Sequence, residues 1–179
     1  MAKIVPFTLA TAIAYVWASP AEEKLIHVML TNYESNSRPV THTADSLIVN
    51  LSYTPVKLEA LDVDENEMVL HGWMQMSWKD HQLRWNVSDH DGITHLNLPI
   101  ESLWKPDIKL YNAPESSVEN TLALVHNDGT VMWVPPVTGQ IACDFTVTWF
   151  PFDVQQCTLV FGSWTYDKTK IDLQVGPSI

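Results

Sequence analysis

Cys143 and Cys157 enclose thirteen residues, Asp144 to Gln156, and no other feature of this chain restricts its fold as tightly. Whether the two pair depends on the compartment, and the N-terminus speaks to that. Lys3 precedes an apolar run from Ile4 to Trp17, followed by the small residues Ala18, Ser19 and Ala21, which is the order of a secretory leader. Residues 1–21 are read as that leader, cleaved after Ala18 or Ala21, and residues 22–179 as the mature domain. Two cysteines in an oxidising compartment are an even count, and a bridge is the expected use for them. Closing a ring of this size stabilises a fold by roughly 3 kcal/mol when the effect is counted as lost entropy of the unfolded chain. Inside the ring, Phe150-Pro151-Phe152-Asp153 sets a proline between aromatics, a setting compatible with a cis peptide bond. Asn50-Leu51-Ser52 and Asn86-Val87-Ser88 fit the glycosylation acceptor pattern and agree with a secretory route.

With 179 residues, 46% of them apolar, the chain can bury one substantial core, and one domain is expected. From Glu22 to Tyr33 the apolar positions Leu25, Ile26, Met29 and Leu30 recur at three and four, which predicts a short amphipathic helix. Beyond Asn36-Ser37-Arg38-Pro39 the helical period gives way to alternating and aromatic-rich runs cut by Pro, Gly, Asn and Asp turns. That pattern predicts an all-β, immunoglobulin-like β-sandwich with a short N-terminal helix. Strands are expected near residues 46–61, 68–78, 83–85, 108–111, 122–126, 130–134, 141–149, 157–164 and 171–175. In the second of these, alternation puts Met68, Leu70, Gly72, Met74, Met76 and Trp78 on a core face. Trp73 falls on the other, mostly polar face, where it marks a contact surface or lies beneath a covering loop.

The charge balance excludes one class of partner. Ten basic against 21 acidic residues, net −11, argue against nucleic acid, since phosphate binding needs a basic surface. The run Asp62-Val63-Asp64-Glu65-Asn66-Glu67 fails as an EF-hand, because Glu67 stands where a glycine must turn the loop; a solvated acidic turn is expected instead. His90-Asp91 beside Asp89 lacks further spaced ligands for a metal-dependent hydrolase and is read as loop. The chain shows no phosphate-binding glycine loop, no serine elbow and no Cys-x-x-Cys, so neither catalytic residues nor a cofactor or metal are expected. After the leader no window is long and uncharged enough to form a spanning helix, and the mature chain is expected to be secreted and soluble.

Several motifs, in order, carry a resemblance. The thirteen-residue cysteine ring with Phe150-Pro151-Phe152-Asp153 resembles the signature loop of pentameric Cys-loop receptors. Trp104-Lys105-Pro106-Asp107-Ile108-Lys109-Leu110-Tyr111-Asn112 resembles the first ligand-binding loop of nicotinic acetylcholine receptor subunits, and Gly162-Ser163-Trp164-Thr165-Tyr166-Asp167 the second. The stretch Trp73 to His81, with Trp85 beyond it, is similar to the strand that supplies the complementary face with its tryptophan. The resemblance runs from about Glu22 to Val175 and is strongest to homomeric neuronal nicotinic subunits and soluble acetylcholine-binding proteins. It implies a ten-stranded sandwich, a ring of five copies, and a site for acetylcholine- or nicotine-like cations between neighbours. Quaternary ammonium groups are held there by aromatic rings, each contributing about 0.5–2 kcal/mol. On this resemblance Trp164 is the main platform with Tyr111 beside it and Tyr166 in the same loop, while Trp73, Met132 and Val134 close the site from the neighbour. Trp104, Pro106, Asp107, Trp78, Trp85 and Phe152 are expected to brace the fold.

The sequence departs from the family after Asp167. It has no adjacent cysteine pair and no counterpart of the two tyrosines of the capping loop, and it ends at Ile179, so the last two strands of the sandwich are expected to be missing. Losing two rings and a lid is expected to weaken cation binding by roughly 2–4 kcal/mol. The uncovered edge is expected to drive association beyond a simple pentamer or to need a partner that covers it. Three readings follow: a secreted homologue with an incomplete site, a fragment of a channel subunit, or an assembly module without a small ligand.

Overall fold

The computed structural model describes residues 19–113 and 115–177. The leader read at residues 1–21 lies outside them up to residue 18, and Pro20 and Ala21 open the helix α1 (Pro20–Leu30). Helix α1 begins two residues earlier than its apolar period suggests, because Pro20 in the first turn loses no hydrogen bond there and presets the helical φ. It packs Leu25, fully buried, into the core, with Ile26, Met29 and Leu30 flanking it.

Ten strands follow among the described residues. They are β1 (Leu47–Asp62), β2 (Glu67–Arg84), β3 (His95–Pro99), β4 (Ile108–Leu110), β5 (Glu115–Val118), β6 (Leu122–His126), β7 (Asp128–Trp133), β8 (Pro136–Ala142), β9 (Phe161–Ser163) and β10 (Ile171–Val175). A large sheet runs in the order β10-β1-β2-β7-β6-β3, and β8, carrying β5, joins it along the first half of β2. All neighbours are antiparallel except β1 and β10. The strands β4 and β9 form a second, two-stranded sheet. The core fills the space between the sheets: Val49, Leu51, Met74, Met76, Trp78, Leu96, Val125 and Trp133 meet Ile108 from the second sheet. The fold is thus the expected β-sandwich with one N-terminal helix. No helix among the described residues is long and apolar enough to cross a membrane.

Five features depart from the sequence reading, one being that the strand expected over 157–164 is confined to β9, Phe161–Ser163. The stretch 83–85 is no separate strand, since β2 runs unbroken to Arg84. The strand expected over 141–149 lies instead at Pro136–Ala142, pairing with both β2 and β5, and the chain leaves the ladder at Cys143. Proline is tolerated at its first position, where it need not donate to a ladder. Two short strands, β3 and β5, form where none was expected.

The bridge Cys143–Cys157 is present with a Cα separation of 5.5 Å, and Phe150-Pro151 is cis. Asn66, at φ 55° in the β1–β2 turn, docks this ring: its carbonyl accepts from Cys143 N (2.9 Å) and its side chain from Phe145 N (3.3 Å). The acidic turn is an ordinary Asx turn, with Asp62 Oδ1 accepting from the amides of Asp64 and Glu65 at 3.0 Å. Phe152, expected to brace the fold, is 89% exposed and does not. It sits in the disulfide ring, whose residues 144–156 add no strand to either sheet.

Below α1 lies one buried polar network. Asp80 is 1% exposed; its carboxylate accepts from the Tyr33 hydroxyl (2.6 Å) and from Gln82 N (2.9 Å). Tyr33 in turn accepts from Trp104 N at 3.0 Å, so three distant segments meet at one phenol. Trp104 is buried and meets Trp78 edge-on, ring centroids 5.8 Å apart, which gives both the bracing role expected of them.

Candidate functional site

Asp107, just before β4, organises one face. Its carboxylate accepts from Ser163 Oγ (2.5 Å), from Thr165 N (2.7 Å) and from the Thr165 hydroxyl, while its own carbonyl accepts from Trp164 N (3.2 Å). A carboxylate that takes this many donors pins the turn after β9. With both its neighbours held from within, Trp164 turns outward and is 70% exposed. Tyr111 comes to meet it from the end of β4. Tyr111 N donates to Val160 O (2.8 Å) and its hydroxyl to Ser163 O (2.6 Å), and the two rings meet in a near-T arrangement with centroids 6.0 Å apart.

Gly162 makes this possible. A Cβ there would lie 2.6 Å from the Tyr111 hydroxyl oxygen and 2.7 Å from its ring. Only glycine lets the phenol lie flat on β9. Gly162→Ala is expected to leave the fold standing, because a mobile side chain can swing aside, but to lift Tyr111 off Ser163 and away from Trp164. Its melting curve should stay near that of the unaltered chain while any cation affinity carried by the pair falls about ten-fold; paired thermal melts and cation titrations check this.

Tyr166 lies elsewhere in the same turn. Its amide donates to Ser163 Oγ (3.0 Å), its ring is half-buried against the main core, and the Arg38 guanidinium lies 5.9 Å from the ring centroid. Arg38 also donates to the carbonyls of Asp45 (2.9 Å), Lys170 (2.8 Å) and Thr43 (3.2 Å). It therefore anchors the loop before β1 to the turn that carries Tyr166 and Trp164.

The remaining residues named from sequence occupy the opposite side of the sandwich. On β2, Met74 and Met76 point into the core, so Trp73 points out; it is 49% exposed, between Thr54 on β1 and Pro136 on β8. No loop buries it. Met132 on β7 stands opposite Ser77, and the half-buried Val134 follows it on the same outward face. The structure thus brings Tyr111 and Trp164 together, brings Trp73, Val134 and Met132 to one outer sheet face, and sets the large sheet between the two groups.

The model of the neurotransmitter-gated ion-channel ligand-binding domain matches residues 22–178. The chain belongs to that family. Its similarity to neuronal acetylcholine receptor subunits is spread over most of its length. It is 42% identical to the alpha-2 subunit of Gallus gallus over 159 residues, 86% of this chain and 30% of that protein. Against the alpha-4 subunit of Homo sapiens the identity is 40% over 158 residues, 86% and 25%. Against the non-alpha-3 subunit of Carassius auratus it is 37% over 177 residues, 92% and 38%. The chain therefore spans roughly a quarter to two-fifths of these relatives. They are receptor subunits, which supports a binding rather than a catalytic role for this nicotinic-type ligand-binding domain.

Two contributors to the site escaped the sequence reading. Gly162 had a signal, since a glycine inside an aromatic strand often marks a close approach. Arg38 had none beyond its place in a turn.

Proposed function

We propose that this domain binds small organic cations of the acetylcholine or nicotine class at contacts between copies of itself. Tyr111 and Trp164 of one copy supply the platform, with Tyr166 steadying the turn, and Trp73, Met132 and Val134 of the next copy supply the lid. The observation that carries this is the Trp164–Tyr111 pair: two aromatic rings exposed to solvent yet held by a buttressed frame, an arrangement suited to cation–π recognition. The opposite placement of Trp73 supports a site that needs two chains, arranged head to tail in a ring; five copies is the number the resemblance implies. The names of the relatives point to acetylcholine as the first ligand to try.

In this reading residues 1–21 are the leader, residues 22–179 the ligand-binding domain, and Asn50 and Asn86 the glycan acceptors, the latter on the exposed edge of a short 3-10 turn. A second reading, the extracellular part of a longer receptor subunit, is favoured by the length of the relatives. Both readings use the same site.

Tryptophan fluorescence titrated with acetylcholine and nicotine tests the proposal. Quenching that saturates by millimolar ligand is expected, and Trp164→Ala is expected to weaken it by roughly ten- to thirty-fold, the worth of one well-placed ring. No saturable change at millimolar ligand would leave an assembly module instead.

A further inference from the structure

We propose that His95 and His126 form a two-histidine chelate for a divalent transition-metal ion, Zn2+ being the ion of choice in an extracellular setting. The pair lies on β3 and β6, outside the cation site, and none of the motif residues above belongs to it.

The backbone ladder gives the first argument. His95 and His126 are directly opposed in the antiparallel β3–β6 pair. One step away, Asn127 N donates to Thr94 O (3.0 Å), and at the far end Ile100 N donates to Thr121 O (3.4 Å). Hydrogen-bonded pairs therefore fall at even-numbered residues of β3, and His95–His126 is a non-hydrogen-bonded pair, the kind in which the Cα atoms come to about 4.5 Å and the side chains stand closest. Both rings are on the outward face, since Leu96, Leu98, Ala123 and Val125 point into the core.

Ring geometry gives the second. The imidazole centroids are 6.4 Å apart with planes inclined at 52°. Two imidazoles on one tetrahedral Zn2+, each nitrogen about 2.0–2.1 Å from the metal, have centroids about 5 Å apart. Side-chain rotations can close that gap, since His95 is exposed. A supporting contact is also in place: His95 Nδ1 lies 3.1 Å from Thr94 Oγ1, and a proton held there leaves Nε2 with its lone pair free for the metal. Among the described residues no third histidine, cysteine or carboxylate joins the pair, so water completes the coordination shell. The net charge of −11 favours the approach of a cation.

Such a clip ties β3, an outer strand of the large sheet, to β6. Leu124, two residues along β6 from His126, pairs with Met132, so the chelate is built into the same ladder as the outer face that carries Trp73 and Met132.

Calorimetric titration of the whole chain with Zn2+ and separately with Cu2+, in a non-coordinating buffer, tests the proposal. One ion per chain is expected, with Cu2+ bound more tightly than Zn2+ as the general order of divalent affinities requires. His95→Asn and His126→Asn are each expected to lower Zn2+ affinity on the order of ten-fold or more, and to abolish the rise in melting temperature that Zn2+ gives the unaltered chain. His126→Thr, which keeps a strand-forming side chain, should behave as His126→Asn does and melt normally without metal. The five other histidines remain in every variant. Zn2+ affinity that is unchanged in both single variants, that falls in only one of them, or that is absent from the unaltered chain would overturn the chelate.

Discussion

Asp80→Ala is expected to lower the free energy of unfolding by about 3–4 kcal/mol, whereas Asp80→Asn, which orphans one donor rather than two and leaves no void, is expected to cost about 1–2 kcal/mol. The carboxylate is buried, and the groups it binds are a phenol and a backbone amide rather than a cation. Alanine leaves the Tyr33 hydroxyl and Gln82 N facing a void, and each orphaned donor costs about 1–3 kcal/mol. Asparagine keeps the acceptor for Gln82 N and fills the volume, and its amide can donate to the Tyr33 oxygen, but the Tyr33 proton loses its acceptor, so one donor is orphaned rather than two. Urea denaturation of the two variants measures the difference. Equal losses would mean that the negative charge itself is needed.

The same pair of chains carries a pH signature. Burial raises the Asp80 carboxyl above its ordinary value of 3.8, with the Tyr33 hydrogen bond and the amide of Gln82 working the other way. The folded state then holds the proton more tightly than the unfolded chain, so this group contributes stability at low pH that is lost as pH rises through its folded value. Relative to Asp80→Asn, the unaltered chain should therefore lose ground as pH is raised from about 3.8 and level off once Asp80 is ionised in both states.

What the sequence made legible follows the range of the interactions. Alternation along β2 is a local property of the pleat, and it placed Trp73 outward and Trp78 inward without any knowledge of partners. The spacing of Leu25, Ile26, Met29 and Leu30 did the same for α1. By contrast β3, with Asn97 and Pro99 among five residues, and the polar β5 exist because β6 and β8 offer them edges, and edge pairing leaves little trace in composition. The frame of the aromatic pair was hidden for a related reason. Asp107 acts on Ser163 and Thr165, 56 and 58 residues away, and no local pattern announces which hydroxyls a carboxylate will find. Phe152 was misplaced because an aromatic within the stapled ring was expected to brace the fold, while the ring that carries it adds no strand to either sheet and leaves it exposed.

Mixing two weakly binding variants is expected to restore sites of full affinity. In an assembly of Trp164→Ala chains every site lacks its platform, and in an assembly of Trp73→Ala chains every site lacks its lid, so acetylcholine affinity should fall in both by roughly ten-fold or more. Because Trp164 and Trp73 lie on opposite sides of the large sheet, no single chain can bring them together, and a head-to-tail contact is the arrangement that can. After the two variants are dissociated, mixed in equal amounts and reassembled, roughly one interface in four receives an intact Trp164 from one chain and an intact Trp73 from its neighbour. A fraction of sites with the original affinity should then reappear in the titration. A site contained within one chain would give no recovery at any mixing ratio. A contact that pairs like faces would fail as well, since it would set Trp164 against Trp164 and leave Trp73 facing its own copy.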